Sequence, residues 1–169
     1  IIGDVSELNF VKKTIVKNYN YVVNLSGYVD HSSKKSKEKI IFKSHYIGCK
    51  NIVKVLLKKK IESFVQIGTG NEYGNSSSPQ SEEMSCNPKT AYAKAKLLST
   101  KYLINCFKEK NFPATILRIY QVYGPKQDQN RFIPIIIEGC RKNNNFPCSK
   151  GDQSRDFLFV SDAVDAIIK

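Results

Sequence analysis

Tyr92 and Lys96 stand one helical turn apart in the run Tyr92-Ala93-Lys94-Ala95-Lys96. Residues at i and i+4 share a helix face. A phenol titrates near pH ~10, too high to exchange a proton at neutral pH, and an ammonium held beside it favours the phenolate and lowers that value. Such a pair can move a proton on and off a hydroxyl while a hydride moves on the attached carbon. The spacing alone decides little: with 9 Tyr and 23 Lys, a chain of this length holds about one Tyr-x-x-x-Lys by chance. This one holds two, and position separates them. Tyr46 and Lys50 fall inside a helical pattern with no polar loop beside them. Tyr92 follows a long loop that leaves a strand end at Thr69, so a hydroxyl and a phenol far apart in the chain can meet at the rim of a sheet.

The elements that must position these groups alternate between strand and helix. Apolar spacing predicts a short helix over 8–18, a strand at Tyr21–Asn24 and a long helix over 38–60. That helix carries Ile41, His45, Gly48, Ile52, Val55 and Leu56 on one face. A strand at Ser63–Ile67, a loop over 70–88, a helix over 89–110 and a strand from Ala114 to Arg118 follow. A helix over 131–142, a strand from Phe157 to Val160 and a helix starting at Asp162 complete the order. Strands separated by helices of this length build βαβ units and a mainly parallel sheet. Ligands of such sheets sit beyond the carboxyl ends of the strands, which selects the loops 24–31, 68–74, 119–130 and 149–156.

Length and composition fit one domain with a real core: 169 residues, 41% hydrophobic and 25% charged. The longest apolar runs, such as Ile133 to Ile137, are far too short to cross a bilayer. The start, Ile1-Ile2-Gly3-Asp4, has neither the basic stretch nor the apolar core of a secretory leader. The net charge of +12 invites a nucleic-acid reading, but 23 of the 27 basic residues are Lys and only 4 are Arg, the residue that phosphate and base recognition favours. The Lys run 58–60 and Lys34, Lys35, Lys37 and Lys39 read as solvated helix faces. The expectation is neither a nucleic-acid nor a membrane partner. The five Cys, at 49, 86, 106, 140 and 148, show no metal-ligand spacing; Cys49 and Cys106 read as small core residues. That usage points to a reducing cytoplasm and to no metal site.

The run Phe64-Val65-Gln66-Ile67-Gly68-Thr69-Gly70-Asn71-Glu72-Tyr73-Gly74, with Pro79, Glu82, Pro88, Tyr92 and Lys96, resembles the extended short-chain dehydrogenase/reductase family. The similarity is greatest to its nucleotide-sugar epimerases, dehydratases and reductases. It continues through Leu117-Arg118, Val122-Tyr123-Gly124-Pro125, Arg131-Phe132-Ile133-Pro134, Gly151, Arg155-Asp156-Phe157 and Val160 to Ala166, across nearly the whole chain in order. It implies an α/β fold, a partial Rossmann-like doubly wound parallel sheet with flanking helices. Residues 1–169 would form a partial NAD(P)-binding domain, with 119–156 contributing to the substrate side.

Site residues follow from the resemblance. Asp4 matches an Asp that meets the adenine, and Leu25-Ser26-Gly27 the turn that packs on the cofactor, with Gly68 beside it. Thr69 matches the hydroxyl that holds the sugar's reacting oxygen and Tyr92 the acid/base. Lys96 matches the lysine that lowers the phenol's pKa and binds the nicotinamide ribose. Gln121 stands where the family usually has Asn near the substrate diphosphate. Arg131 and Arg155 match the substrate side, Arg155 as a guanidinium gripping that diphosphate. The implied cofactor is NAD or NADP, with NAD favoured. The implied partners are a nucleotide sugar and a second copy of the chain, through helices 38–60 and 89–110, whose apolar Leu97, Leu98, Tyr102 and Phe107 are compatible with that interface or with simple core burial.

The departures carry information. In the family's 4,6-dehydratases the two positions after the Thr hold an acid and a base; here they are Gly70 and Asn71, and neither can do that work. Epimerisation or reduction of a 4-ketone, which can rely on the Tyr, fits better than dehydration. His45 occupies a position where many relatives have Asn, and a structural helix residue is the plainer reading. Asp30-His31 reads as a loop ion pair or a plain turn, and Tyr73 as packing at the border of the site. No Gly-rich dinucleotide motif occurs. The chain opens on what reads as a strand end and stops inside a helical pattern. The expectation is a piece of a longer protein, without the N-terminal Gly-rich motif and the C-terminal substrate region, inactive by itself and exposing strand 21–24 as a sheet edge. A non-catalytic Rossmann-type binding or regulatory protein is the contrasting reading; three retained chemical groups argue against it.

Overall fold

The computed structural model describes residues 1–28 and 35–169; Asp30, His31 and Lys34 lie outside them. The chain divides into two compact units, Ile1–Arg118 and Ile119–Lys169.

The first unit is built on a parallel sheet of β1 (Tyr21–Asn24), β2 (Ser63–Ile67) and β3 (Ala114–Leu117) in the order β1-β2-β3. Register places Asn24 beside Gln66 and Gln66 beside Ile116. Among the described residues β1 pairs on one side only, and Tyr21, Val23 and Leu25 are exposed along it, the open edge that the sequence predicts. Flanking helices are α1 (Leu8–Thr14), α2 (Glu38–Phe42), α3 (Gly48–Leu56) and α4 (Ala91–Lys110). A π-helical turn, Lys43–Ile47, joins α2 to α3.

The core gathers Val11 of α1, Cys49, Ile52, Val53 and Leu56 of α3, Phe64 of β2, and Leu103 and Cys106 of α4. Phe64 and Phe112 meet with centroids 5.4 Å apart. All six residues assigned to the inner face of the long helix are buried. Cys49 and Cys106 are core thiols, and burial pushes the Cys49 thiol up to about 12, which makes it inert.

Several boundaries differ from the sequence reading. The first helix ends at Thr14 because the β-branched run Thr14-Ile15-Val16 resists helix. The long helix ends at Leu56, ahead of Lys58-Lys59-Lys60, whose like charges disfavour a further turn. The third helix starts at Ala91, where the Thr90 hydroxyl caps it by accepting from the Ala93 N–H at 3.2 Å. The loop 70–88 opens with a 3₁₀ turn, Gly70–Tyr73.

The second unit holds β4 (Gln121–Tyr123), α5 (Phe132–Lys142), β5 (Phe157–Phe159) and α6 (Val160–Ile168). Strand β4, read as loop from the sequence, is three residues long and exists by pairing in parallel with β5. Val160 belongs to α6, whose first turn gains the carboxylate of Asp162. Residues 149–156 enter the amino end of β5, so the carboxyl-end rule does not govern them. Among the described residues no helix is long and apolar enough to cross a membrane.

Candidate active site

Strand β2 ends at Ile67, and the chain turns sharply through Gly68 and Thr69. Thr69 begins the 3₁₀ turn as a capping box: its hydroxyl accepts from the Asn71 N–H, and the Glu72 carboxylate accepts from the Thr69 N–H at 3.0 Å. Glu72 is fully buried and also accepts from the Thr100 hydroxyl at 2.8 Å and the Arg118 guanidinium at 3.2 Å. The turn that carries Thr69 is therefore bolted to α4 and to the end of β3. Gly68 backs this arrangement, since a Cβ there would lie 2.8 Å from Glu72 Oε1.

Helix α4 brings Tyr92 and Lys96 to the same rim. The Thr69 hydroxyl hydrogen-bonds to the Tyr92 phenol. The Lys96 ammonium lies 5.8 Å from the centre of the Tyr92 ring and donates to the Ile67 carbonyl at 2.7 Å. Lys96 is buried, 6% exposed, and burial lowers its pKa while the Glu72 carboxylate opposes that. The sequence leads one to expect a lowered phenol. In this environment Tyr92 lies above its ordinary value: burial pushes it up, the Thr69 bond opposes, and the Glu72 carboxylate adds to the rise. The physical reason is desolvation: burial of the phenol penalises the phenolate by more than the Thr69 hydroxyl favours it.

A fourth group joins them. His45, read as a helix residue, sits on the π-helical turn with its ring edge-on to Tyr92, centroids 5.0 Å apart. Its Nε2 bonds the Tyr28 carbonyl at 3.2 Å, and its buried Nδ1 has no partner among the described residues. Burial and the Lys96 charge lower its pKa to about 4, so the ring is neutral at pH 7. π-Helical turns recur at functional sites, but nothing in the spacing around His45 announces one. Tyr73 is buried and accepts from Arg118 Nη1 at 3.0 Å, the packing residue that the sequence suggests.

Asp4, Ser26 and Gly27 line one pocket of about 300 Å³ together with Ser6, Tyr28 and Ser44. Among the described residues the buried Ser6 hydroxyl has no partner, and Gly27 closes against His45, where a Cβ would stand 2.1 Å from Cε1. An orphaned hydroxyl, a carboxylate and a side-chain-free turn suit a polar ligand such as a nucleoside. Leu25, next in the turn, is 72% exposed. In the second unit, Gln121 and Arg155 line a cleft of about 680 Å³ at the amino ends of β4 and β5, with Phe132 and Phe157 stacked beside them. Arg131 stands at the N-terminal boundary of α5, next to Phe132.

A family model described as NAD dependent epimerase/dehydratase matches residues 1–169. The chain belongs to that family. It is 28% identical over 174 residues to dTDP-D-glucose 4,6-dehydratase of Homo sapiens, covering 99% of this chain and 49% of the relative. Among solved structures it is similar to UDP-N-acetylglucosamine 4-epimerase from Methanobrevibacter ruminantium M1, in complex with UDP-N-acetylmuramic acid (TM-score 0.89, 23% identity, 99% of this chain and 56% of that one). It is also similar to UDP-glucuronic acid 4-epimerase from Bacillus cereus, in complex with UDP-glucuronic acid and NAD (TM-score 0.83, 21% identity, 98% of this chain and 53% of that one). These likenesses establish the Rossmann-like fold of the epimerase/dehydratase family. The chain spans about half the length of the curated relatives it matches.

Proposed function

We propose that this chain carries the catalytic rim of an NAD(P)-dependent nucleotide-sugar epimerase or 4-ketoreductase. The observation that carries the reading is the Tyr92 phenol bonded to Thr69, with the Lys96 ammonium under the same ring. Tyr92 is protonated at neutral pH and delivers its proton to a sugar oxygen, or takes one from it in the reverse direction. Thr69 donates to the phenol and so eases formation of the phenolate, while the Lys96 charge offsets the developing negative charge from beneath. The polar pocket at Asp4, Ser26 and Gly27 suits the adenosine end of a nicotinamide dinucleotide, NAD in preference to NADP. That group, when bound, supplies the hydride exchange. Arg155 and Gln121, with Arg131, take the substrate side within 119–156, where a guanidinium suits a diphosphate.

The curated relatives named 4,6-dehydratase favour a second reading. Against it stand Gly70 and Asn71 directly after Thr69, and a Glu72 whose carboxylate is buried and fully engaged. Removal of water needs a free acid and base at this turn, and neither is there. The protein is proposed to work in the cytoplasm as a homodimer through α2, α3 and α4, where Leu98 and Phe107 are exposed on α4.

The deciding experiment uses the full-length protein with NAD and either UDP-glucose or dTDP-glucose. Tyr92→Phe is expected to lower turnover about 100-fold or more with the fold retained. Unchanged turnover would overturn the reading, and a 4-keto-6-deoxy product would replace it with the dehydratase. A monomeric mass in solution would remove the dimer.

A further inference from the structure

Gln66 is a buried polar residue of β2, set between the apolar Val65 and Ile67, and the reading above gives it no role. It is 2% exposed, and its cross-strand neighbour Asn24 is 4% exposed. Their amides form one directed chain. At one end the Ser26 N–H and hydroxyl donate to Asn24 Oδ1 at 3.1 and 2.6 Å. Asn24 Nδ2 donates to Gln66 Oε1 at 2.8 Å. Gln66 Nε2 donates to the Ile67 carbonyl at 3.0 Å, and Lys96 donates to the same carbonyl at 2.7 Å. A backbone N–H can only donate and a carbonyl can only accept, so both ends fix the direction of every amide between them.

We propose that Gln66 is a positioning residue: with Asn24 it forms a buried amide bridge that ties the 24–27 turn to the carbonyl on which Lys96 is held. The bridge spans β1 and β2 and joins the pocket at Ser26 and Gly27 to the rim at Tyr92. It deepens the proposed function, since it gives that site a built-in link between cofactor turn and lysine. Because Gln66 shares the Ile67 carbonyl with the ammonium, it also weakens that carbonyl as a partner for the charge. Removing the amide leaves the carbonyl to Lys96 alone and favours the protonated form.

The test needs no turnover. In the full-length protein, competitive acylation with acetic anhydride over a pH series, read by mass spectrometry on the peptide containing Lys96, gives that lysine's protonation midpoint. Gln66→Met keeps the volume and removes the amide; the protonation constant of Lys96 is expected to rise about threefold or more. Asn24→Leu touches neither Lys96 nor Ile67, and through the bridge it is expected to shift the same midpoint in the same direction. The reciprocal readout is NADH affinity by fluorescence, which Gln66→Met should weaken about threefold or more although Gln66 lies outside the pocket. Circular dichroism checks that each variant is folded; if Asn24→Leu is not, the NADH affinity of Gln66→Met decides. An unmoved Lys96 midpoint in folded Asn24→Leu, or an unchanged NADH affinity in Gln66→Met, overturns the bridge. A parent protein that binds no NADH removes the proposed function instead, and the Lys96 midpoint in Asn24→Leu still decides the bridge.

Discussion

The His45 ring stands edge-on to the Tyr92 ring, with planes at 83° and centroids 5.0 Å apart. The packing holds the imidazole neutral, with its pKa lowered to about 4 by burial and by Lys96. An unfolded His binds a proton near pH ~6.5, and the native one does not until well below that. The unfolded state therefore takes up more protons as pH falls from about 6.5 to about 4, and native stability declines over that window by about 3 kcal/mol. In full-length His45→Phe, which keeps a ring against Tyr92, this part of the decline is expected to vanish. Urea midpoints at a series of pH values in both proteins measure it; parallel curves would refute the assignment.

Thr69 acts on the phenol through its hydroxyl. Thr69→Val removes the bond that lowers the Tyr92 pKa, so the phenolate should form at higher pH than in the parent. Turnover is expected to fall about 10- to 100-fold, with Thr69→Ser restoring most of it. A spectrophotometric phenolate titration, differenced against Tyr92→Phe, tests the first expectation; steady-state rates test the second.

Glu72 is a structural carboxylate. Three donors converge on it: the Thr69 N–H, the Thr100 hydroxyl and the Arg118 guanidinium. Glu72→Ala leaves the Thr69 N–H and the Thr100 hydroxyl without their acceptor and takes the counter-charge from the half-buried Arg118, which keeps its bond to the Tyr73 hydroxyl; it should cost about 1–3 kcal/mol of stability. Glu72→Gln keeps most of the bonds and should cost less. Denaturant unfolding of the two variants measures this. A Glu72→Gln protein that is as stable as its parent yet inactive would make Glu72 part of the chemistry.

Gly27 leaves room for the His45 ring. A methyl there would stand 2.1 Å from His45 Cε1 and 2.5 Å from Nδ1. Gly27→Ala must displace the ring or the turn, at about 1–3 kcal/mol, and NADH affinity should fall with it. The double variant Gly27→Ala/His45→Ala removes the collision, and its stability should exceed that of His45→Ala combined additively with Gly27→Ala.

Much of this site is legible in the chain. Thr69, Tyr92 and Lys96 are picked out by residue type, spacing and resemblance, whereas the loop reading over 70–88 passes over the Thr69-x-x-Glu72 capping box that opens it. Helix faces and strands follow from apolar spacing, because burial on one side imposes a period. Strand β4 does not, because three residues are too few for a period and the pairing partner lies far along the chain. His45 does not either: its spacing is that of any core-facing helix residue.

The sequence by itself determined the order of strands and helices apart from β4, the residues able to exchange a proton, and the family resemblance, since residue type and spacing are local properties. Only the tertiary structure decided which of those groups touch, that Lys96 binds the Ile67 carbonyl, and that Tyr92 lies above its ordinary pKa. Desolvation and hydrogen-bond partners come from chain segments far apart in sequence, and no local pattern encodes how deeply their meeting point is buried.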